Sequence, residues 1–258
     1  MWTDAVARQF GEQGYVSLGQ VMAGPQLAAL RQRLDDLTLG DHPNDRIWYQ
    51  LEPAFCERMG LPSGYGYHGP SPHYRKLMYL DADPLFREYF THPRFCALLR
   101  ELIGPEVTIS RAFALLKPAQ DGSPIRWHQD AGPGHPAPPG PFYTVWTALD
   151  DATQANGALR VLPGTHRLGF VDRAGPDGRR EIEAEVEVRR GREVVLEVRA
   201  GEAILLDNYL LHSSGPNPTP HRRRAVTLCY KHAHTPMEDR PPDSHLGFTR
   251  VLPSGSDP

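Results

Sequence analysis

Two polar residues with a spacer open the question of chemistry. The stretch "RWHQDAG" (Arg126–Gly132) places His128 and Asp130 two residues apart. In a strand, residues i and i+2 point to the same face, so this imidazole and carboxylate would point together, with Gln129 turned away. An imidazole and a carboxylate suit a borderline divalent metal. Two histidines and one carboxylate on one side of an ion, with its other positions open, is the arrangement of non-haem Fe(II) oxygenases. Chance supplies about one H-x-D in a chain of this composition, so the pair needs partners. "GEAILLDNYLLHSSGPN" offers His212, placed at the end of an apolar strand and before a Ser-Ser-Gly-Pro turn. Eleven residues on, from 212 to 223, Arg223 sits between Arg222 and Arg224. In a regular strand it points opposite to both neighbours. A guanidinium facing inward there suits bidentate capture of a carboxylate, because its fork of donors matches two oxygens.

These residues need a scaffold that brings distant strands to one opening. From Val107 onward the apolar pattern has a period of two, through "VTISRAFALL", "FYTVWTAL", "ALRVLPG", "AILLDN" and "RAVTLCYKH". "EIEAEVEVRRGREVVLEV" alternates twice around "RRGR", as a hairpin should, with its acids on a solvated face. Six to eight strands between Gly/Pro turns predict a double-stranded β-helix, a cupin-like jelly roll or barrel. The first third reads as helical: "TDAVARQFGEQGY" behind the cap candidate Thr3, "GPQLAALRQRLDDLTLG" with a leucine stripe, and Pro84–Leu102 broken by Pro93. These helices would pack on an outer face of the sheets. One domain over 1–258 is expected, with a mostly helical part (1–105), the jelly-roll core (106–235) and a tail (236–258).

Composition narrows the function classes. The chain has 258 residues, 40% hydrophobic and 23% charged, with 24 Gly and 26 Pro, so turns and loops abound. A net charge of -3 and no basic run longer than "HRRR" argue against nucleic acid and anionic membranes as partners. No stretch approaches the roughly 18 apolar residues of a membrane span. Three widely spaced cysteines, Cys56, Cys96 and Cys229, make neither a disulfide framework nor a zinc knuckle, which suits a reducing cytoplasm.

The blocks in their order resemble the phytanoyl-CoA dioxygenase family of Fe(II)/2-oxoglutarate oxygenases. They are "FGEQGYVSL" with "LAALRQRLDDL", "HYRKLMYLDADPLFREYFTHPRF", "ALLKPAQDGSPIRWHQD", "TVWTALDDATQANGALRVLPGTHR" and "AGEAILLDNYLLHSSGPNPTPHRRRAV". The resemblance spans Phe10 to Tyr230. It implies His128, Asp130 and His212 as Fe(II) ligands and Arg223 as partner of the far carboxylate of 2-oxoglutarate. It also implies Lys76, Phe113, Trp146 and Ser214 as lining of the co-substrate pocket. Thr144, two residues before Trp146, would share its face. The implied reaction consumes 2-oxoglutarate and O2, releases succinate and CO2, and hydroxylates an unactivated C–H bond of a small molecule. Halogenating relatives carry a small residue in place of the aspartate, so Asp130 implies hydroxylation or a related oxidation. The Pro-rich stretch Gly132–Pro141 lies where a substrate lid would. His166 in "LPGTHR" reads as a locally bonded turn residue. The aromatic run Tyr65–Tyr74 fits either a substrate pocket or a loop packed on the barrel. The competing function is a non-redox, metal- or ligand-binding jelly roll. It is distinguished by whether Arg223 and the three ligands face one cavity.

Overall fold

The computed structural model describes residues 2–40, 43–131, 141–171 and 179–235. The first third alternates helices and strands: α1 (Asp4–Gln13), β1 (Tyr15–Gln20), α2 (Gly24–Leu39), β2 (Trp48–Leu51), α3 (Pro53–Met59), β3 (Tyr74–Met78), α4 (Pro84–Phe90) and α5 (Pro93–Ile103). The remainder is β4 (Val107–Lys117), β5 (Ile125–His128), β6 (Phe142–Ala148), β7 (Leu159–Val161), α6 (Arg179–Val188), β8 (Val194–Leu196), β9 (Glu202–Asp207), β10 (His212–Ser214) and β11 (Arg223–His232).

The strands form two antiparallel sheets. A seven-stranded sheet runs β1-β9-β6-β11-β4-β3-β2, and a four-stranded sheet runs β5-β10-β7-β8. This is a jelly-roll core with helices added to it. The large sheet is buried on both faces, and its registers show how. Pairing sets Arg223 opposite Lys117, Ala225 opposite Leu115 and Ala148, and Thr227 opposite Phe113 and Trp146. Side chains of paired residues share a face, so these look toward the small sheet. The alternate positions, among them Val145, Val226, Leu228, Ala114, Leu77 and Leu205, enter one apolar core with Leu30, Leu34, Phe86, Phe90 and Leu99 of the helices. Burying each such large side chain contributes roughly 1.5–3 kcal/mol. That core fixes the sheet, and the sheet fixes everything on its other face.

Local signals explain most boundaries. Thr3 caps α1 by accepting from the Val6 N–H, and Gly14 ends the helix in the left-handed region at φ 79°. Pro93 splits the third helical stretch into α4 and α5, as its missing N–H requires. Two expectations are corrected. The first third also supplies β1, β2 and β3 to the large sheet; Tyr15 begins β1 rather than ending a helix, because Gly14 turns the chain onto β9. The expected acidic hairpin is instead the helix α6, followed by the short strand β8. Its glutamates and Ala184 favour helix, and it is braced by the ion pairs Arg189–Glu185 (i,i+4) and Arg190–Glu187 (i,i+3). Period-two alternation of Ile182, Ala184, Val186 and Val188 was outweighed by those terms and by packing on β5. The expected tail, 236–258, lies outside the described residues.

One glycine ties the small sheet to the large one. Gly157 has φ +88°, and a Cβ there would lie 2.6 Å from the Gly215 carbonyl oxygen and 2.7 Å from Cδ of Lys117. Gly157→Ala should therefore cost more than ~1 kcal/mol, a fall of about 2–4 °C in melting temperature per kcal/mol for a chain of this size. An unchanged melting temperature in calorimetry contradicts this close approach.

Candidate metal centre and co-substrate pocket

His128 closes β5 and His212 opens β10, and the two are paired directly across the small sheet. Their ring centroids lie 4.1 Å apart. Two details differ from the sequence reading. The strand ends at His128, so Asp130 owes its direction to the following turn rather than to strand alternation. His212 begins a strand instead of ending the apolar one before it. Gln129 pins the turn. Its Nε2 donates to the carbonyls of Gly169 (2.8 Å) and Tyr209 (2.6 Å), and its Oε1 accepts from Val171 N (2.9 Å). The spacer of the motif thus holds the turn that aims Asp130.

One donor atom from each of His128, Asp130 and His212 falls within a mutual 4.8 Å. Asp130 Oδ2 is 4.0 Å from His212 Nε2. Each imidazole places Nδ1 on a backbone carbonyl, His128 on Arg126 O at 2.8 Å and His212 on Leu210 O at 2.9 Å. A carbonyl only accepts, so Nδ1 carries the proton and Nε2 presents a lone pair, as in metal-bound histidines whose far nitrogen is held by a carbonyl. Burial, and then His212 beside it, hold the His128 pKa down at about 4, so its ring is neutral near pH 7, as a ligand must be. Asp130 is braced by the large sheet. Thr144 Oγ1 lies 3.3 Å from Oδ2, and Arg111 Nη2 reaches Oδ1 at 3.5 Å and the backbone oxygen at 3.1 Å. Two nitrogens and a carboxylate oxygen fit a divalent transition metal, with the remaining positions open to the cavity.

That cavity, of about 320 Å³, lies between the sheets and is lined by the three donors and by Arg223 alike. This is the arrangement that separates an oxygenase from a plain metal-binding barrel. Arg223 is 1% exposed. Its Nη2 donates to Gly157 O at 3.0 Å, its guanidinium lies 5.6 Å from the Trp146 ring centre, and Nε and Nη1 have no partner among the described residues. Burial lowers its pKa to about 10, which still leaves it charged at neutral pH. Arg222 and Arg224 point the other way, to Asp35 and Asp150. Ser214 Oγ, Thr227 Oγ1 and Trp146 Nε1 are also buried without partners among the described residues. Unsatisfied buried donors call for a reason. A carboxylate, acceptor-only and doubly lobed, answers them.

All nine residues named from the sequence line this one cavity: Lys76, Phe113, His128, Asp130, Thr144, Trp146, His212, Ser214 and Arg223. Lys76 lies on β3 with its ammonium 4.5 Å from the Phe113 ring centre, and burial, with Arg111 nearby, lowers its pKa to about 8. The Thr144 hydroxyl is only 2.6 Å from Asn208 Oδ1, so it braces the metal side instead of facing open space. Thr227, Arg111, Arg75 and Gln50 were missed. Thr227 was legible in principle, four residues from Arg223 on the same strand face. His166 bonds Gly11 O of α1 at 3.1 Å, away from the cavity; it is no ligand, and its bond ties the turn to the first helix rather than staying local as expected. In the aromatic run, Tyr67 and Tyr74 pack with Tyr49 on the helix side, so that loop packs on the barrel. The lid stretch, apart from Pro141, lies outside the described residues.

A jelly roll with this donor set and a buried arginine defines the class of non-haem iron oxygenases that use 2-oxoglutarate. The sequence profile "Phytanoyl-CoA dioxygenase (PhyH)" matches residues 10–225, and the chain belongs to that family. The protein is a 2-oxoglutarate-dependent non-haem iron dioxygenase. It is 28% identical over 208 residues to a phytanoyl-CoA dioxygenase domain-containing protein 1 homolog of Dictyostelium discoideum, covering 76% of this chain and 70% of that one. It is 26% identical to an L-proline trans-4-hydroxylase of Streptomyces griseoviridis, covering 93% and 90%. Among solved structures, EctD from S. alaskensis with 2-oxoglutarate and 5-hydroxyectoine superposes with a TM-score of 0.70 at 25% identity, covering 92% and 81%.

Lys76 makes a prediction about pH. Its ammonium is charged below about 8 and neutral above. Affinity for the 2-oxoglutarate dianion should therefore fall as pH rises from 7 to 9, by roughly tenfold for one charged contact. Calorimetric titration should show the fall in the wild type and a flatter profile in Lys76→Met. A flat wild-type profile contradicts a charged Lys76 in the pocket.

Proposed function

We propose that His128, Asp130 and His212 hold a ferrous ion, that Arg223 binds 2-oxoglutarate, and that the protein hydroxylates a C–H bond of a small molecule. The observation that carries this reading is the buried, two-thirds unanswered guanidinium of Arg223 in the same cavity as the three metal-type donors. The bound ion, with 2-oxoglutarate and O2, supplies the oxidising chemistry, in which decarboxylation to succinate and CO2 makes an unactivated C–H bond reactive.

The chain's own residues do the positioning. Arg223 takes the far carboxylate of 2-oxoglutarate through Nε and Nη1, with Thr227, Ser214 and Trp146 as neutral donors beside it. His128 and His212 are held by their Nδ1 bonds and so keep Nε2 aimed without reorganisation. Arg111 and Thr144 hold the Asp130 carboxylate, while Leu206, Leu159 and Ile125 give apolar wall that excludes water. A relative named as a proline hydroxylase and a structural neighbour carrying 5-hydroxyectoine support a small substrate. No lysine-rich patch suited to coenzyme A phosphates occurs in the sequence, which favours a free molecule over an acyl-CoA. Three cysteines that form no disulfide among the described residues support a reducing, cytoplasmic setting; no described helix is long and apolar enough to cross a membrane.

Anaerobic addition of Fe(II) and 2-oxoglutarate should raise a weak visible charge-transfer band, and air should yield succinate. Asp130→Ala should lose the band and cut succinate formation by more than the roughly 10–100-fold typical of removing a group that only orients a ligand. Full activity in Asp130→Ala, or no band in the wild type, contradicts the proposal.

A further inference from the structure

The oxygenase reading leaves one charged side chain of the cavity without a task. Arg75 lines the cavity, is half-buried, and has no hydrogen bond or ion pair with any described residue. A bulge puts it there. Gln50 pairs with Lys76 and Leu51 with Tyr74, so Arg75 is an extra residue on β3 with nothing opposite. A bulge interrupts alternation and re-aims a side chain. Tyr74 and Leu77, three residues apart, both reach the helix-side core, and the two residues between them, Arg75 and Lys76, both face the cavity. In a regular strand Arg75 would have pointed away from Lys76.

The consequence is a surplus of positive charge. Arg75, Lys76, Arg111 and Arg223 line the cavity against one carboxylate, Asp130. Arg111 answers Asp130, and Arg223 stands ready for the co-substrate. A divalent ion and a doubly charged keto acid offset each other, so loading the site leaves the surplus in place. Such a cleft concentrates anions. The cavity, about 320 Å³ before the co-substrate enters, lies at the small end of the roughly 300–1,000 Å³ of ligand pockets.

We propose that Arg75, with the Gln50 amide nearby, captures a carboxylate of the primary substrate, so that the substrate is a small organic acid held by its anionic end. The inference rests on the oxygenase reading above. The guanidinium fork matches the two oxygens of a carboxylate, which a lysine ammonium does not. Its removal breaks no hydrogen bond or ion pair with a described residue, so Arg75→Ala tests recognition more than folding.

The test titrates the protein, loaded anaerobically with Fe(II) and 2-oxoglutarate, with a panel of small monocarboxylic acids and their primary amides. The readouts are perturbation of the visible band and the rise in melting temperature. Acids should bind and their amides bind at least ~10-fold more weakly, as expected for loss of a charge-assisted contact. Arg75→Ala should weaken acid binding by roughly 10–100-fold and erase the preference, and Arg75→Lys should restore part of it. No acid-over-amide preference overturns the proposal, as does one that survives in Arg75→Ala. Acid binding that bleaches the band is competition at Arg223 and also counts against it. A band that forms normally in these cases leaves the oxygenase reading standing; a wild type that shows no band removes both.

Discussion

Arg223 carries its charge at 1% exposure while Nε and Nη1 meet no acceptor among the described residues, and much of the structure makes sense as the means of keeping it there. A buried charged donor without a partner costs on the order of 1–3 kcal/mol or more. The side chain would escape to solvent if its strand could rotate or fray. It cannot: β11 is hydrogen-bonded to β4 on one side and β6 on the other. Its next residue, Arg224, is anchored to Asp150 and to Asp35 of α2. Trp146 lies along the guanidinium, and Gly157, which no Cβ can replace, offers the single carbonyl. The cost is met in folding, so a carboxylate arriving later meets donors already in place.

The metal side depends on the same sheet through a different route. His128 and His212 come from the small sheet, but Asp130 is braced by Arg111 of β4 and Thr144 of β6. The three donors therefore bridge the two layers, and their spacing is set by how the layers close. Helices and apolar side chains on the outer face supply that rigidity, with Leu30, Leu34, Phe86 and Leu99 all essentially inaccessible. A substitution in that core would reach the site as a shift of β4, β6 or β11 rather than as a lost contact.

Much of this was legible in the sequence because the chemistry sits on strands. Period two put Arg223 opposite in direction to Arg222 and Arg224, and the ion pairs to Asp35 and Asp150 bear out that alternation. The ordered blocks brought Lys76, Phe113, Trp146 and Ser214 into view. What escaped was set by tertiary pairing. The strands β1 to β3 are short and gain their identity from β9 and β4, so the first third looked only helical. The acidic segment alternates like a strand but folds as α6, since glutamate side chains and i,i+4 pairs favour a helix there. Arg75 was invisible for both reasons, lying on an unread strand and at a bulge that breaks the very periodicity used to assign faces.

The central claim is that Arg223 holds Nε and Nη1 open for a ligand rather than for the fold, and the melting temperature of its variant with and without 2-oxoglutarate separates these roles. Replacing a buried charge by an apolar side chain of similar length is often neutral or stabilising. Arg223→Met should therefore melt at or above the wild-type temperature without ligand, and should lose the rise that 2-oxoglutarate with iron gives the wild type. A variant that melts well below the wild type, yet still gains the full rise on adding 2-oxoglutarate, would contradict the account.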